Sequence, residues 1–145
     1  MKLVIQRVKK AKVSVNEKTV GKIERGLFIL LGVREGDTLE SAGRLADKLV
    51  KLRIMSDDKD KMNLSVKEVG GEILVVSQFT LYADTMNGNR PSFIKAANPT
   101  LAEKIYNHFI DRLKSNDIKI ETGEFGKYMI IEPVLDGPVT ILLEE

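Results

Sequence analysis

The stretch from Glu72 to Leu81, EILVVSQFTL, constrains this chain more than any other. Its first half, Ile73 to Val76, is an unbroken aliphatic run that follows the turn-forming pair Gly70-Gly71. A run this short and this apolar predicts a strand that is buried on both of its faces. We therefore expect the rest of the chain to be organised around this strand.

Three neutral hydrogen-bonding side chains, Ser77, Gln78 and Thr80, stand where this strand should end. Polar groups at the mouth of a buried strand must find partners inside the protein or stay open to water or a ligand. One interpretation is that they satisfy the backbone of the next loop. The other is a binding site, because a Gly- and Asn-bearing loop over residues 83–92 follows, and sites are commonly built on loops that leave a rigid strand.

The length, composition and net charge of the chain limit which class of protein it can belong to. At 145 residues the chain is long enough for one domain with a substantial core, and we expect a single domain over residues 1–145. It has no cysteine, which excludes disulfides and thiolate chemistry. No segment approaches the roughly twenty apolar residues of a membrane span, and we expect a cytoplasmic protein without membrane association. The net charge of +2 permits a polyanionic partner without requiring one.

Short apolar runs and alternating patterns indicate the strands. They predict strands over residues 2–15, 19–23, 27–33, 64–69, 118–122, 127–134 and 138–143 besides the central one, with the first three forming a meander. The alternation slips in phase between Ile5 and Val8, which predicts a bulge near Arg7. Asp136-Gly137 predicts a turn between the last two strands.

Apolar residues at helical spacing predict two helices. The first spans residues 38–51, with Asp37 and Glu40 as a capping box, and the second begins at Asn98-Pro99 and continues to Lys114. The fold class is therefore α+β, with antiparallel β-sheets in a barrel-like or sandwich arrangement and two helices packed against them.

The residue types present argue against several common kinds of active site. The only histidine, His108, lies on the second predicted helix with no sign of reaching Ser77 or Thr80, which argues against a Ser-His-Asp site. No nucleotide-binding fingerprint occurs, and the aspartate-rich turn at residues 57–60 lacks the spacing of a calcium loop. We predict no cofactor and no metal. What remains is a site of hydroxyls, amides and backbone N–H groups, which can bind a carbonyl oxygen and its developing charge.

Two stretches taken together resemble the motifs of the D-aminoacyl-tRNA deacylases. They are Ser77-Gln78-Phe79-Thr80-Leu81 and Gly137-Pro138-Val139-Thr140. The resemblance covers essentially the whole chain and includes Arg90-Pro91-Ser92-Phe93. One departure is Leu135, since the family usually has asparagine at this position, two residues before the glycine.

The resemblance implies a hydrolase of the ester between a D-amino acid and the 3′-terminal adenosine of tRNA, which also clears glycine mischarged onto tRNA. It implies a homodimer with its sites at the subunit interface. A cis Gly137-Pro138 bond of one subunit would enter the partner's site and exclude L side chains. The implied catalytic residues are Ser77, Gln78, Phe79 (through its backbone N–H) and Thr80.

Several roles stay open at this point. Arg90 can contact tRNA phosphate or merely order its loop, and Phe125 and Met129 can wall an adenosine pocket or belong to the core. Thr80 can act as a nucleophile, or it can line a site where the 2′-hydroxyl of the terminal adenosine helps to activate water. The competing functions are a non-catalytic RNA-binding module and a hydrolase outside translation that cleaves small free esters.

Overall fold

The computed structural model describes residues 1–145 and contains eight strands and two α-helices. In chain order they are β1 (Lys2–Val15), β2 (Lys18–Ile23), β3 (Gly26–Gly32), α1 (Leu39–Val50), β4 (Met55–Ser56), β5 (Met62–Leu64), β6 (Glu72–Ser77), a 3-10 turn (Phe79–Tyr82), α2 (Pro99–Lys114), β7 (Ile120–Thr122) and β8 (Ile130–Glu144). The predicted α+β class with two helices is confirmed.

The main sheet has six strands and is built on β1. β8 pairs along one side of β1, while β3 and β2 share the other side, so the predicted meander is wrong: β3 pairs with β1 and not with β2. The pairs β3–β6 and β6–β7 are parallel, because α1 lies in the connection between β3 and β6 and α2 lies in the connection between β6 and β7. A small separate hairpin joins β4 and β5.

The sheet curves until it is nearly closed like a barrel. β2 returns to β7 at Gly21, where an added Cβ would lie 2.5 Å from the backbone oxygen of Thr122. Glycine therefore lets these two strands approach more closely than any side chain would permit.

β6 is buried on both faces, as predicted. Ile73 and Val75 belong to a core of 25 buried residues that includes the inner faces of both helices. Leu74 and Val76 point the other way, into a second core of 7 buried residues drawn from the sheet. This strand therefore ties the helix layer to the interior of the curved sheet.

The helices lie where periodicity placed them, but one cap differs. α1 is capped by Thr38, whose Oγ1 accepts from the Ser41 N–H at 3.2 Å while the Ser41 hydroxyl accepts from the Thr38 N–H at 3.1 Å. The predicted cap, Asp37, does not cap α1, because its carboxylate accepts a hydrogen bond from the Arg34 N–H at 2.6 Å, before the helix begins. α2 has the predicted Asn98 cap, with Pro99 in its first turn. Neither helix is long and apolar enough to cross a membrane.

The predicted strand at residues 64–69 is wrong. Pairing ends at Leu64, and the chain then turns over residues 66–70. The turn is fixed locally, because Glu68 accepts from the Ser65 N–H at 2.7 Å and donates its own N–H to the Ser65 hydroxyl at 3.3 Å.

The last two predicted strands are one continuous strand, β8, and the predicted turn at Asp136-Gly137 is a bulge within it. The pairing with β1 passes from Val8↔Leu135 to Gln6↔Thr140, so residues 136–139 loop out. The irregularity predicted near Arg7 is therefore present, but the extra residues belong to β8. The peptide bond between Gly137 and Pro138 in this bulge is cis.

Candidate active site

A cavity of about 550 Å³ opens where β6 ends. This volume lies in the usual range for small-molecule sites, about 300–1,000 Å³. Its walls are residues 76–79 at the end of β6, Phe93, Ala96, Ala97, Pro99 and Ala102 around the start of α2, residues 125–129 after β7, and Val33 and Ile131. Most of these side chains are apolar, and the polar ones are Ser77 and Gln78 at the end of β6 and Lys127 and Tyr128 after β7.

The polar end of β6 is shaped by its pairing with β3. The Gln78 N–H donates to the Leu31 carbonyl at 2.7 Å, and the chain then leaves the sheet as the 3-10 turn. Gly32 gives this turn room, since an added Cβ there would lie 3.1 Å from Leu81 Cβ. The sequence therefore ends the strand and turns the backbone over the cavity mouth within three residues, Ser77 to Phe79.

The donors at this mouth are hydroxyl, amide and backbone groups. Ser77 and Gln78 are half-buried and line the cavity. The Phe79 and Thr80 N–H groups begin the 3-10 turn and have no partner within it. The Gln78 side-chain amide donates to the Thr80 hydroxyl, which keeps its own proton free to donate elsewhere.

No histidine or carboxylate lines the cavity. His108, as interpreted, is an ordinary helix residue, and its Nε2 lies 3.8 Å from where a Cβ on Gly43 would be. The site therefore has hydrogen-bond donors for a developing oxyanion but no histidine or carboxylate base in its wall.

Aromatic side chains form two of the cavity walls. Phe79 packs edge-on against Phe93, with ring centroids 5.0 Å apart and planes at 72°. Phe125 lies 5.9 Å from the ring of Tyr106, whose hydroxyl donates to the Val75 carbonyl at 2.9 Å. Burial raises the pKa of the Tyr106 phenol. Phe125 is thus fixed, through Tyr106, to the strand that carries the motif.

Met129 completes the wall after β7. Its sulfur packs so close to Gly123 that an added Cβ would lie 2.5 Å from it. Phe125 and Met129, both predicted as candidate pocket residues, do line the cavity.

The remaining predicted residues do not line it. Thr80 is exposed beside Gln78, just outside the wall. Arg90 is exposed on a loop closed by reciprocal 2.8 Å hydrogen bonds between the backbones of Asp84 and Ser92, and it forms no ion pair. Gly137 and Pro138 are exposed on the β8 bulge and are not part of the cavity of their own chain.

The bulge is held by Arg7, a residue whose structural role the sequence did not reveal. Its Nε donates to the Asp136 carbonyl at 3.1 Å and lies 3.1 Å from the Asp136 carboxylate. Its Nη1 donates to the Ile54 carbonyl at 3.0 Å and to the Ser56 hydroxyl at 3.2 Å. A planar guanidinium can satisfy these acceptors together, which an ammonium cannot. The available signal was an arginine inside an otherwise alternating apolar strand.

Comparison with known proteins shows which family this chain resembles. The family model described as D-Tyr-tRNA(Tyr) deacylase matches residues 4–144. The D-aminoacyl-tRNA deacylase of Desulfatibacillum aliphaticivorans is 55% identical over 144 residues, which is 99% of each chain. The D-aminoacyl-tRNA deacylase of Thermosipho africanus is 53% identical over 144 residues, covering 99% of this chain and 97% of that one.

Two solved structures share the fold. A c-Myc DNA unwinding element binding protein superposes with a TM-score of 0.93 at 39% identity, covering 100% of this chain and 99% of that one. A probable eukaryotic D-amino acid tRNA deacylase superposes with a TM-score of 0.83 at 16% identity, covering 98% and 97%, and supports the fold alone. Because the family model matches residues 4–144 and the deacylases of Desulfatibacillum aliphaticivorans and Thermosipho africanus are more than 50% identical to it, the chain belongs to the D-aminoacyl-tRNA deacylase family of ester hydrolases.

Proposed function

We propose that this chain hydrolyses the ester between a D-amino acid and the 3′-terminal adenosine of tRNA, releasing free amino acid and tRNA in the cytoplasm. Membership of the family supports the reaction class. The observation that carries the site is the set of donors at the end of β6, which meets a largely apolar cavity of about 550 Å³. Glycine mischarged onto tRNA is a second substrate of the same site.

The terminal adenosine lies in the cavity against Phe125 and Met129. Its ester reaches the end of β6, where Ser77 and Gln78 orient the carbonyl and the Phe79 N–H donates to the oxyanion. Such donors are effective because they are already aimed at the position where charge develops. Half-buried Ser77 and Gln78 and the apolar walls around them fit this role.

Water is the nucleophile in this scheme, and the 2′-hydroxyl of the adenosine helps to activate it. Water adds to the ester carbonyl, and the intermediate collapses by expelling the 3′-oxygen, which takes up a proton. The absence of histidine and carboxylate from the cavity wall supports a base supplied by the substrate. Thr80 contributes by fixing the Gln78 amide, with which it shares a hydrogen bond.

Substitution of Thr80 by alanine separates this scheme from covalent catalysis. Because the hydroxyl only positions Gln78, we expect Thr80→Ala to retain measurable turnover of D-Tyr-tRNA. Turnover indistinguishable from background, in a variant that keeps the wild-type melting temperature, would instead make Thr80 the nucleophile.

Selection against L-amino acids comes from the Gly-cisPro element, Gly137-Pro138, of a partner subunit in a homodimer. Its backbone carbonyls accept from the substrate's α-ammonium, and an L side chain then collides with the backbone while a D side chain points outward. Glycine has no side chain to exclude. The proposal is supported by the exposure of this bulge and its absence from the cavity of its own chain.

Cleavage of a small free ester would distinguish a hydrolase that does not need tRNA from a tRNA deacylase. Purified protein is assayed with D-Tyr-tRNA and with D-tyrosine methyl ester at equal concentration. We expect cleavage of the tRNA ester and little of the methyl ester, because the adenosine supplies the binding contacts and the 2′-hydroxyl. Equal cleavage of both would favour a hydrolase outside translation.

A further inference from the structure

The turn between β7 and β8 places a cation and an exposed ring side by side at the rim of the cavity. Lys127 and Tyr128 both line the cavity, between the wall residues Phe125 and Met129. The Tyr128 side chain is 89% exposed, although it is a large aromatic residue. A ring that is exposed beside a cavity offers an open face on which a base can stack.

Lys127 is the only residue with a charged side chain in the cavity wall. It forms no salt bridge, whereas Lys95, on the other side of the site, is paired with Asp84 at 2.7 Å. Its ammonium is therefore available to an anion that approaches the rim. No carboxylate in the wall opposes such an anion.

We propose that Lys127 and Tyr128 form a subsite for the penultimate nucleotide of the tRNA. The Tyr128 ring stacks on the base of that nucleotide, and the Lys127 ammonium contacts the phosphate that joins it to the terminal adenosine. This inference rests on the proposed function, which puts the terminal adenosine in the cavity between Phe125 and Met129.

The chemistry of a single-stranded 3′ end matches this pair. Its bases are unpaired and present open faces, and proteins bind such strands with aromatic platforms combined with cations along the backbone. Because Lys127 and Tyr128 lie between the two wall residues in sequence, a strand leaving the cavity past this turn meets both of them. The other two tyrosines are not available, since Tyr82 and Tyr106 are buried.

Three substrates of increasing length test the subsite. They are D-tyrosine esterified to adenosine, to the dinucleotide cytidylyl-adenosine (CpA), and to tRNA. Tyr128→Ala should lower kcat/KM on the CpA and tRNA substrates by about five-fold to a hundred-fold, the range typical of base–aromatic stacking. The loss should appear in KM, the adenosine ester should be cleaved as before, and Tyr128→Phe should restore the wild-type value.

Lys127→Gln should raise KM for the CpA and tRNA substrates. It should also lower the slope of log KM against log salt concentration by about 0.7, as expected when one phosphate contact to a single strand is lost. Lys127→Arg should restore both quantities. Lys114→Gln is the matched control, because Lys114 ends α2 at the opposite end from the residues that line the cavity. It should leave all three substrates unchanged.

The outcomes separate this subsite from the proposed function. Equal losses on the adenosine ester would mean that the pair shapes the cavity, and unchanged kinetics on CpA would mean that it binds nothing; either result overturns the subsite alone. A loss accompanied by dissociation of the protein in sedimentation would assign the pair to a subunit contact and also overturns it. If the wild-type chain cleaves none of the three substrates, the proposed function fails and the subsite fails with it.

Discussion

At the scale of single residues, two buried tyrosines differ in whether the hydroxyl has a partner. Tyr106 donates to the Val75 carbonyl at 2.9 Å, while the Tyr82 hydroxyl is buried without a hydrogen bond. An unpartnered buried hydroxyl is costly, and a satisfied one contributes about 1 kcal/mol. We therefore expect Tyr82→Phe to raise the free energy of unfolding and Tyr106→Phe to lower it, each by about 1 kcal/mol in urea titrations. A loss of stability in both variants would contradict this assignment.

Ionisation of the Tyr82 phenol should limit the stability of the protein at alkaline pH. Burial raises the pKa of Tyr82 to about 12 from 10.0, and the charges of Asp37 and Glu144 add to the effect. Because the pKa of the phenol is higher in the folded than in the unfolded protein, its ionisation does not oppose folding below about pH 10, and the protein loses stability as the pH rises towards 12. Tyr82→Phe should therefore lose less stability than the wild type across that interval.

Arg7 is the residue on which the shape of the β8 bulge depends. It is nearly buried and donates to the Asp136 carbonyl, the Ile54 carbonyl and the Ser56 hydroxyl. A lysine cannot reproduce this fork, so Arg7→Lys leaves buried acceptors unpaired and should lower the free energy of unfolding by about 1–3 kcal/mol. Arg25→Lys, at an exposed arginine whose side chain has no hydrogen bond or ion pair, should change it by less than about 0.5 kcal/mol. Equal values for the two variants would remove this role from Arg7.

At the scale of elements, two glycines respond to a methyl group in opposite ways. On Gly26 an added Cβ would lie 1.8 Å from the Glu72 backbone oxygen, so Gly26→Ala forces β3 away from β6 and should cost at least about 1–3 kcal/mol. On Gly43, inside α1, the Cβ would have its nearest contact at 3.8 Å. Gly43→Ala should therefore stabilise the protein by about 0.5–1 kcal/mol through helix propensity. Thermal unfolding of the two variants would contradict this if Gly26→Ala melted as high as Gly43→Ala.

The sequence predicted the elements whose signals are local. Both helices, the strand β6 and the clustering of Ser77, Gln78 and Phe79 at its end follow from periodicity and from the change from apolar to polar residues. One error arose where a distant partner decides the structure, because β1 pairs with β8 on both sides of the bulge and so keeps β8 continuous. The other has a local cause, since Ser65 and Glu68 bond to each other and turn residues 66–70, which the apolar pattern of the segment did not indicate.

Some residues of the site also could not be predicted from the sequence. Phe125 and Met129 were candidates either for the wall of a pocket or for the core, whereas Lys127 and Tyr128 between them were not predicted, since an exposed turn gives no pattern. Arg7 escaped because its partners, Ile54 and Asp136, lie far away in sequence. Contacts of this kind depend on the fold and not on neighbouring residues.

At the scale of the whole molecule, β8 pairs with β1 alone, and we propose that the homodimer forms along this strand. Leu142 is 67% exposed there, close in sequence to the Gly137-Pro138 bulge. We expect Leu142→Lys to dissociate the proposed homodimer in sedimentation and to abolish most deacylase activity, because each site needs the partner's bulge. Met62→Lys, at an exposed residue of the separate β4–β5 hairpin, should leave both unchanged. A Leu142→Lys variant that is monomeric and fully active would remove the need for a partner.

Matched aminoacyl-tRNA esters test whether this chain removes amino acids from tRNA according to their chirality. Release of labelled amino acid from D-Tyr-tRNA, L-Tyr-tRNA and Gly-tRNA is followed with the purified wild-type protein. We expect rapid loss of the D-Tyr and Gly esters while the L-Tyr ester survives. Release of D- and L-tyrosine at the same rate would contradict the selection by Gly137 and Pro138, with Leu135 as the first position to examine. No release from any ester would contradict the deacylase itself.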